Sequence, residues 1–207
     1  MRMPYSDLAA AVLAGGSSSR MGEDKAFLRL KDSFFIELVV KQMKEAAKRI
    51  VAVVGEKDPK RFQQVLGEGI QVIQDTYRLG NPMGGMLTAF EHLSRENEYV
   101  AVVACDLPFV KKEVIWRIYD KARGHDAAVP KWPNGNLEPL CAVYSAEKGL
   151  EVGKRLLERR MIGCKELVRS LKDVKYIPVE ELRDVDSELM SFRNINTKED
   201  FEALLKL

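Results

Sequence analysis

The sequence predicts an α/β fold: a mostly parallel central sheet covered by helices on both faces. Three observations predict it. Short β-rich apolar runs recur along the chain with helical patterns between them. The run Val100-Ala101-Val102-Val103 is apolar without alternation, as a strand buried on both faces requires. The 207 residues are 46% hydrophobic and 31% charged, enough for both a buried core and a hydrated surface.

Strands are expected at Ala9–Leu13, Ile50–Val54, Ile70–Ile73 and Tyr99–Ala104. Between them, Phe34–Ala46 places Phe35, Leu38, Val39, Gln42 and Met43 near helical spacing. Pro59–Leu66 is a short helix with proline in its tolerated first turn. Gly85–Leu93 aligns Met86, Leu87, Phe90 and Leu93 on one stripe. Lys111–Ala122 does the same with Val114, Ile115, Ile118 and Tyr119. Downstream, Asp126–Pro130 and Pro139–Tyr144 read as strands around the turn-rich Trp132–Asn136, a hairpin-like excursion over the sheet. A helix Glu147–Glu158, a strand Val174–Val179 and a last helix Lys198–Lys206 follow. Thr197 and Asp200 form a capping-box-like start to that last helix. No repeat or low-complexity linker divides residues 1–207, so one domain is expected.

Composition removes several function classes. The formal net charge is only +2, which weighs against a general nucleic-acid binder while leaving room for a local anion site. Cys105, Cys141 and Cys164 are far apart and lack zinc spacing; they read as thiols of a reducing cytoplasm. His92 and His125 are too isolated for a histidine metal site, and His92 is expected to face outward on a helix. The run Leu8–Ala14 is too short for a membrane span and leads into glycines, so a first buried strand explains it better than a signal peptide.

Ligands of open α/β sheets bind beyond the carboxyl ends of the strands, and four constellations fall there. Leu13-Ala14-Gly15-Gly16 runs through three serines to Arg20 and then Lys25. Glycines admit backbone N–H groups close to phosphate, and the two cations suit a polyphosphate. The spacing is neither a Walker loop nor a dinucleotide GxGxxG. Second, Asp106 follows Tyr99–Ala104; it is placed either to ligate Mg²⁺ or to cap the turn before Pro108, and the residues alone leave both open. Third, Asp75 precedes Arg78 and the segment Gly80-Asn81-Pro82-Met83-Gly84-Gly85, which ends at a helix start. Asp75 fits a nucleotide or metal contact, or an Asx-type turn. Fourth, Asn194 and Asn196 share one side of an extended segment and suit a polar heterocycle, although Asn196 and Thr197 also suit helix capping.

Together these motifs resemble the molybdenum cofactor guanylyltransferase family, the MobA type, over nearly the whole chain. The resemblance rests on Leu13–Gly16 with Arg20-Met21-Gly22 and Asp24-Lys25, on Asp75, on Pro82–Met86, on Cys105–Pro108 and on Asn194–Asp200. It implies a Rossmann-like, three-layer nucleotide-diphospho-sugar transferase fold. It also implies transfer of GMP from GTP to Mo-molybdopterin, with release of pyrophosphate. In its terms Leu13, Ala14, Gly15, Gly16, Lys25 and Asp75 bind GTP, and Arg20 contacts phosphates. Asp106 binds Mg²⁺ and GTP, and Asn194 and Asn196 face the pterin. The resemblance further implies transient contact with molybdenum-insertion proteins or acceptor molybdoenzymes; the low net charge and the lack of a membrane-length apolar run predict no nucleic-acid or membrane partner. Alternatives are a relative using CTP or a sugar or alcohol phosphate, and a nucleotide-binding module without catalysis. Asn81 stands where the family usually has glycine, a position where asparagine tolerates positive φ. Lys198 replaces a common proline, and Val54-Gly55 lacks a family-like asparagine at the guanine position.

Overall fold

The computed structural model describes residues 5–16, 24–195 and 200. A seven-stranded sheet of order β5-β4-β1-β6-β8-β7-β9 forms its centre. The strands are β1 (Leu8–Leu13), β4 (Arg49–Val53), β5 (Gln71–Ile73), β6 (Tyr99–Ala104), β7 (Ala127–Lys131), β8 (Cys141–Ser145) and β9 (Val174–Pro178). All run parallel except β8, which lies antiparallel between β6 and β7. The expected hairpin is therefore part of the sheet and not an excursion over it. Because β8 is apolar on both faces, it is buried best inside the sheet. A separate two-stranded ribbon joins β2 (Arg29–Leu30) and β3 (Ser33–Phe34).

The continuous apolar runs serve two cores at once. Leu8, Ala10 and Val12 of β1, with Tyr99, Ala101 and Val103 of β6, face helices α1 (Phe35–Ala46), α2 (Pro59–Leu66) and α4 (Lys112–Ala122). Ala9, Ala11, Leu13, Val100 and Val102 face α3 (Pro82–Leu93), α5 (Ala146–Glu158) and α6 (Cys164–Ser170). Period-two alternation thus divides one apolar strand between two helical layers.

Local chemistry sets the helix ends. Glu37 accepts from the Phe34 N–H at 2.7 Å at the start of α1. Asp58 caps α2 through the Lys60 N–H, with Pro59 as first helical residue. Helix α3 begins three residues earlier than expected, because Asn81 accepts from the Met83 N–H at 2.9 Å and Pro82 opens the first turn. Asn81 is extended, at φ −144°; Gly80 takes the left-handed position at φ +68°. Asparagine here is a helix cap, not the bearer of a positive φ. His92 is half-buried on α3 and meets Gln71 at 2.8 Å, so it does not simply face solvent.

Candidate active site

The carboxyl ends of β1, β4, β5 and β6 lie at one sheet edge, and backbone bonds stitch the segments that follow. Ala14 N–H donates to Val53 O at 2.8 Å, Val54 N–H to Ile73 O at 3.0 Å, Asp75 N–H to Gly55 O at 3.1 Å and Cys105 N–H to Leu13 O at 3.0 Å. Gly15 and Gly55 cross so closely that a Cβ on Gly15 would lie 2.9 Å from Gly55 Cα. Gly55 also has φ +64°, so glycine is required on both counts.

These segments enclose a cleft of about 970 Å³. Leu13, Ala14, Gly15, Gly16, Lys25, Asp75 and Asp106 all line it. The structure therefore gathers seven of the residues singled out in the sequence. Asn194 is exposed on a neighbouring segment, and the following Ile195 N–H donates to Asp106 O at 3.2 Å. Ile195 is fully buried against Leu28 and Phe35, which fixes that segment beside Asp106. Arg20, Asn196, Thr197 and nearly all of the last expected helix lie outside the described residues.

Each carboxylate is held differently. Asp106 Oδ2 sits 3.3 Å from Lys25 Nζ, both side chains being about one-fifth exposed. Asp75 is buried; its Oδ1 accepts from Thr88 Oγ1 at 2.8 Å and the Tyr77 N–H at 2.9 Å. The Tyr77 bond is the expected Asx-type turn, and it coexists with a place in the cleft wall. Gly84 makes room for this carboxylate: a Cβ there would lie 2.4 Å from Asp75 Oδ2.

Lys57 also belongs to the site, although its sequence context gave no motif to mark it. Its Nζ donates to Ala14 O at 2.7 Å and to Asp24 Oδ1 at 2.7 Å. Ala14 and Asp24 flank the glycine–serine loop, so Lys57 clasps its two ends. Asp24 in turn caps a 3-10 turn, Lys25–Phe27, through the Ala26 N–H. That turn presents Lys25.

The described cleft lining carries three cationic side chains, Lys25, Lys57 and Arg78, against four anionic ones, Asp24, Glu56, Asp75 and Asp106. A triphosphate entering this balance calls for further positive charge. Among the described residues no cluster of three or more His, Cys, Asp or Glu side chains could cage a metal. Mg²⁺ needs no such cage; one or two carboxylates and substrate phosphates suffice. The half-open carboxylate of Asp106 fits that donor set.

Cysteine is not a nucleophile here. Burial, and next the charge of Asp106, push the Cys105 thiol up to about 12. Cys141 is buried and Cys164 half-buried, and burial raises both. All three stay protonated at neutral pH.

Comparisons with known proteins identify the family. Residues 10–174 match the MobA-like NTP transferase domain. A molybdenum cofactor guanylyltransferase of Desulfosudis oleivorans is 35% identical over 193 residues, covering 92% of this chain and 91% of the relative. A probable molybdenum cofactor guanylyltransferase of Clostridium perfringens is 32% identical over 203 residues, covering 95% and 96%. Among solved structures, molybdopterin-guanine dinucleotide biosynthesis protein A of Archaeoglobus fulgidus superposes with a TM-score of 0.81 at 30% identity, covering 96% of this chain and 97% of that one. A cytidylyltransferase of Thermus thermophilus shares the fold at 14% identity and a TM-score of 0.69. The chain belongs to the MobA-like NTP transferase family.

Proposed function

We propose that this chain, acting as one nucleotidyltransferase domain, transfers GMP from GTP to Mo-molybdopterin, forming molybdopterin guanine dinucleotide and pyrophosphate. The observation that carries the reading is the single cleft uniting the phosphate loop, Lys25, Asp75 and Asp106, with Asn194 fastened beside it. The names of the similar proteins supply the substrate pair.

In this reading an oxygen of the acceptor's terminal phosphate attacks the α-phosphorus of GTP. The new P–O bond forms as the bond from the α-phosphorus to the bridging β-phosphate oxygen breaks, and pyrophosphate departs with that electron pair. The attacking group is already an anion, so no protein nucleophile or base is required. Catalysis is alignment plus neutralisation of charge. Backbone groups of Leu13–Gly16 hold the triphosphate, and Lys25 and Arg20 bind its oxygens. Lys25 is kept in place by Asp106 until the anion arrives. Asp75 contacts the nucleotide, and Asn194 and Asn196 hold the pterin. Asp106 and the substrate phosphates would hold Mg²⁺, which would supply positive charge to neutralise the phosphates. No helix among the described residues is long and apolar enough to cross a membrane. The free thiols fit the reducing cytoplasm. Handover to molybdenum-insertion proteins or acceptor enzymes belongs to the same reading.

The absence of an asparagine at Val54-Gly55 makes base choice the point to test. A ligand that binds only the folded state raises the melting temperature. GTP with Mg²⁺ should raise it most among GTP, CTP, ATP and UTP. Selective stabilisation by CTP would move the assignment to cytidylyl transfer.

A further inference from the structure

We propose that Glu138, oriented by Trp132, reads the donor edge of the acceptor's 2-amino-4-oxo pyrimidine ring and so selects a pterin over a sugar or alcohol phosphate. The inference rests on the guanylyl-transfer reading and adds a recognition residue to its acceptor side.

The connection Trp132–Leu140 leaves β7 and enters β8 at the same sheet edge as the cleft. It is rigidly built. The Trp132 N–H donates to Asn136 O at 2.8 Å, and the Gly135 N–H donates to Trp132 O at 2.8 Å. The Glu138 N–H donates to Pro130 O at 3.0 Å. At its end, Leu140 lines the nucleotide cleft, and its carbonyl accepts from the Ala104 N–H at 2.9 Å, two residues before Asp106. On the other side the Trp132 ring meets the Phe192 ring edge-on, with centroids 6.2 Å apart. Phe192 opens the segment that carries Asn194 and ends on Asp106. Trp132 thus touches the start of the Asn194 segment, and Glu138, bonded to Trp132, lies two residues before the cleft-lining Leu140.

The carboxylate has one protein donor among the described residues. Its Oε1 accepts the Trp132 indole N–H at 2.6 Å. Among the described residues no donor meets Oε2, and no cation lies within ion-pair distance. Burial raises the Glu138 carboxyl above its usual range; the indole N–H and Lys165 lower it, and Asp106 raises it. A half-buried carboxylate with one neutral donor has acceptor capacity to spare. A 2-amino-4-oxo pyrimidine ring presents adjacent ring and amino N–H groups on one edge, which match a carboxylate, and a flat face that suits an indole. Sugar and alcohol phosphates have neither.

Glu138→Gln separates recognition from structure. The amide oxygen takes the place of Oε1 and keeps the indole bond, while an NH₂ group replaces Oε2 and opposes the pterin donors. The expected result is a rise of roughly 10- to 100-fold in KM for molybdopterin, with KM for GTP and the melting temperature unchanged. An unchanged molybdopterin KM overturns the proposal, as does an equal rise in both KM values. A binding titration on the unaltered protein gives a test independent of turnover. A 6-substituted pterin phosphate should bind at least about tenfold more tightly than its counterpart with oxygen in place of the 2-amino group; equal affinities overturn the role of Glu138. Absence of guanylylated product from the wild type would instead overturn the guanylyl-transfer reading.

Discussion

Gly84 of α3 offers a quantitative check on how the nucleotide side of the cleft is built. Replacing it with alanine puts a Cβ 2.4 Å from Asp75 Oδ2, 3.1 Å from Asp75 Cγ and 3.2 Å from Oδ1. Asp75 is buried and pinned by Thr88 and the Tyr77 N–H, so the carboxylate cannot step aside and keep both bonds. Losing one and weakening the other costs about 2–4 kcal/mol, since bonds to a charged group are each worth about 1.5–3 kcal/mol. Against this, alanine gains about 1 kcal/mol over glycine inside a helix. The net expectation is destabilisation of about 1–3 kcal/mol, read from urea unfolding. GTP affinity, measured by calorimetry, should fall at least about tenfold because Asp75 is displaced. Gly85→Ala is the control. Its Cβ meets Leu13 Cδ2 at 3.4 Å, Val53 Cγ1 at 3.7 Å and Leu13 Cδ1 at 3.8 Å, all ordinary apolar contacts. It should be neutral or stabilising by up to about 1 kcal/mol. If Gly84→Ala behaves like Gly85→Ala in both assays, the packing of α3 against Asp75 does not hold the nucleotide site.

Two further expectations follow from the same structure. Lys57→Met removes the clasp between Ala14 and Asp24 and should weaken GTP binding roughly 10- to 100-fold by calorimetry, with Lys57→Arg recovering part of the loss; full affinity in Lys57→Met would deny the clasp. Asp186 is fully buried, accepts from the Ser191 N–H at 2.7 Å and has Lys111 Nζ 2.9 Å from Oδ1. Burial pushes its carboxyl up, but the Ser191 N–H, Lys111 and the Ser191 hydroxyl outweigh that and hold it below its ordinary 3.8. A depressed carboxyl stabilises the fold above its unfolded pKa, and the contribution is lost as pH falls through the folded one. Asp186→Asn should therefore cost about 1–3 kcal/mol from about pH 5 to 8, and the gap to wild type should close on acidification below about pH 4. A gap independent of pH would contradict the ionic role.

The parts of this protein that could be read from sequence are those whose physics is local. Strands β1 and β6 declare themselves because two-sided burial leaves no polar residue in either. Asp75 and Asp106 are legible because each follows an apolar run whose carboxyl end must face the ligand edge. The rest depends on contacts distant in sequence. Lys57 matters only because Ala14 and Asp24, 43 and 33 residues away, come within 2.7 Å of it. Helix α6 is short, with only Leu167 and Val168 buried, so its periodicity is weak. The insertion of β8 between β6 and β7 follows from pairing of Val100 with Tyr144 and of Ala127 with the same residue, which no local pattern encodes. Asn81 shows the converse: its asparagine suggested a left-handed turn, whereas Pro82 behind it makes a helix start the better outcome.

Guanylyl transfer is read from the product itself. Purified protein with Mg²⁺, GTP and Mo-molybdopterin should yield molybdopterin guanine dinucleotide and pyrophosphate in equal amounts, identified by mass spectrometry. Asp106→Ala should reduce that yield at least about a thousandfold while its melting temperature stays near wild type. Product formed from CTP but not GTP would contradict guanylyl transfer, and undiminished turnover in Asp106→Ala would contradict the role of Asp106.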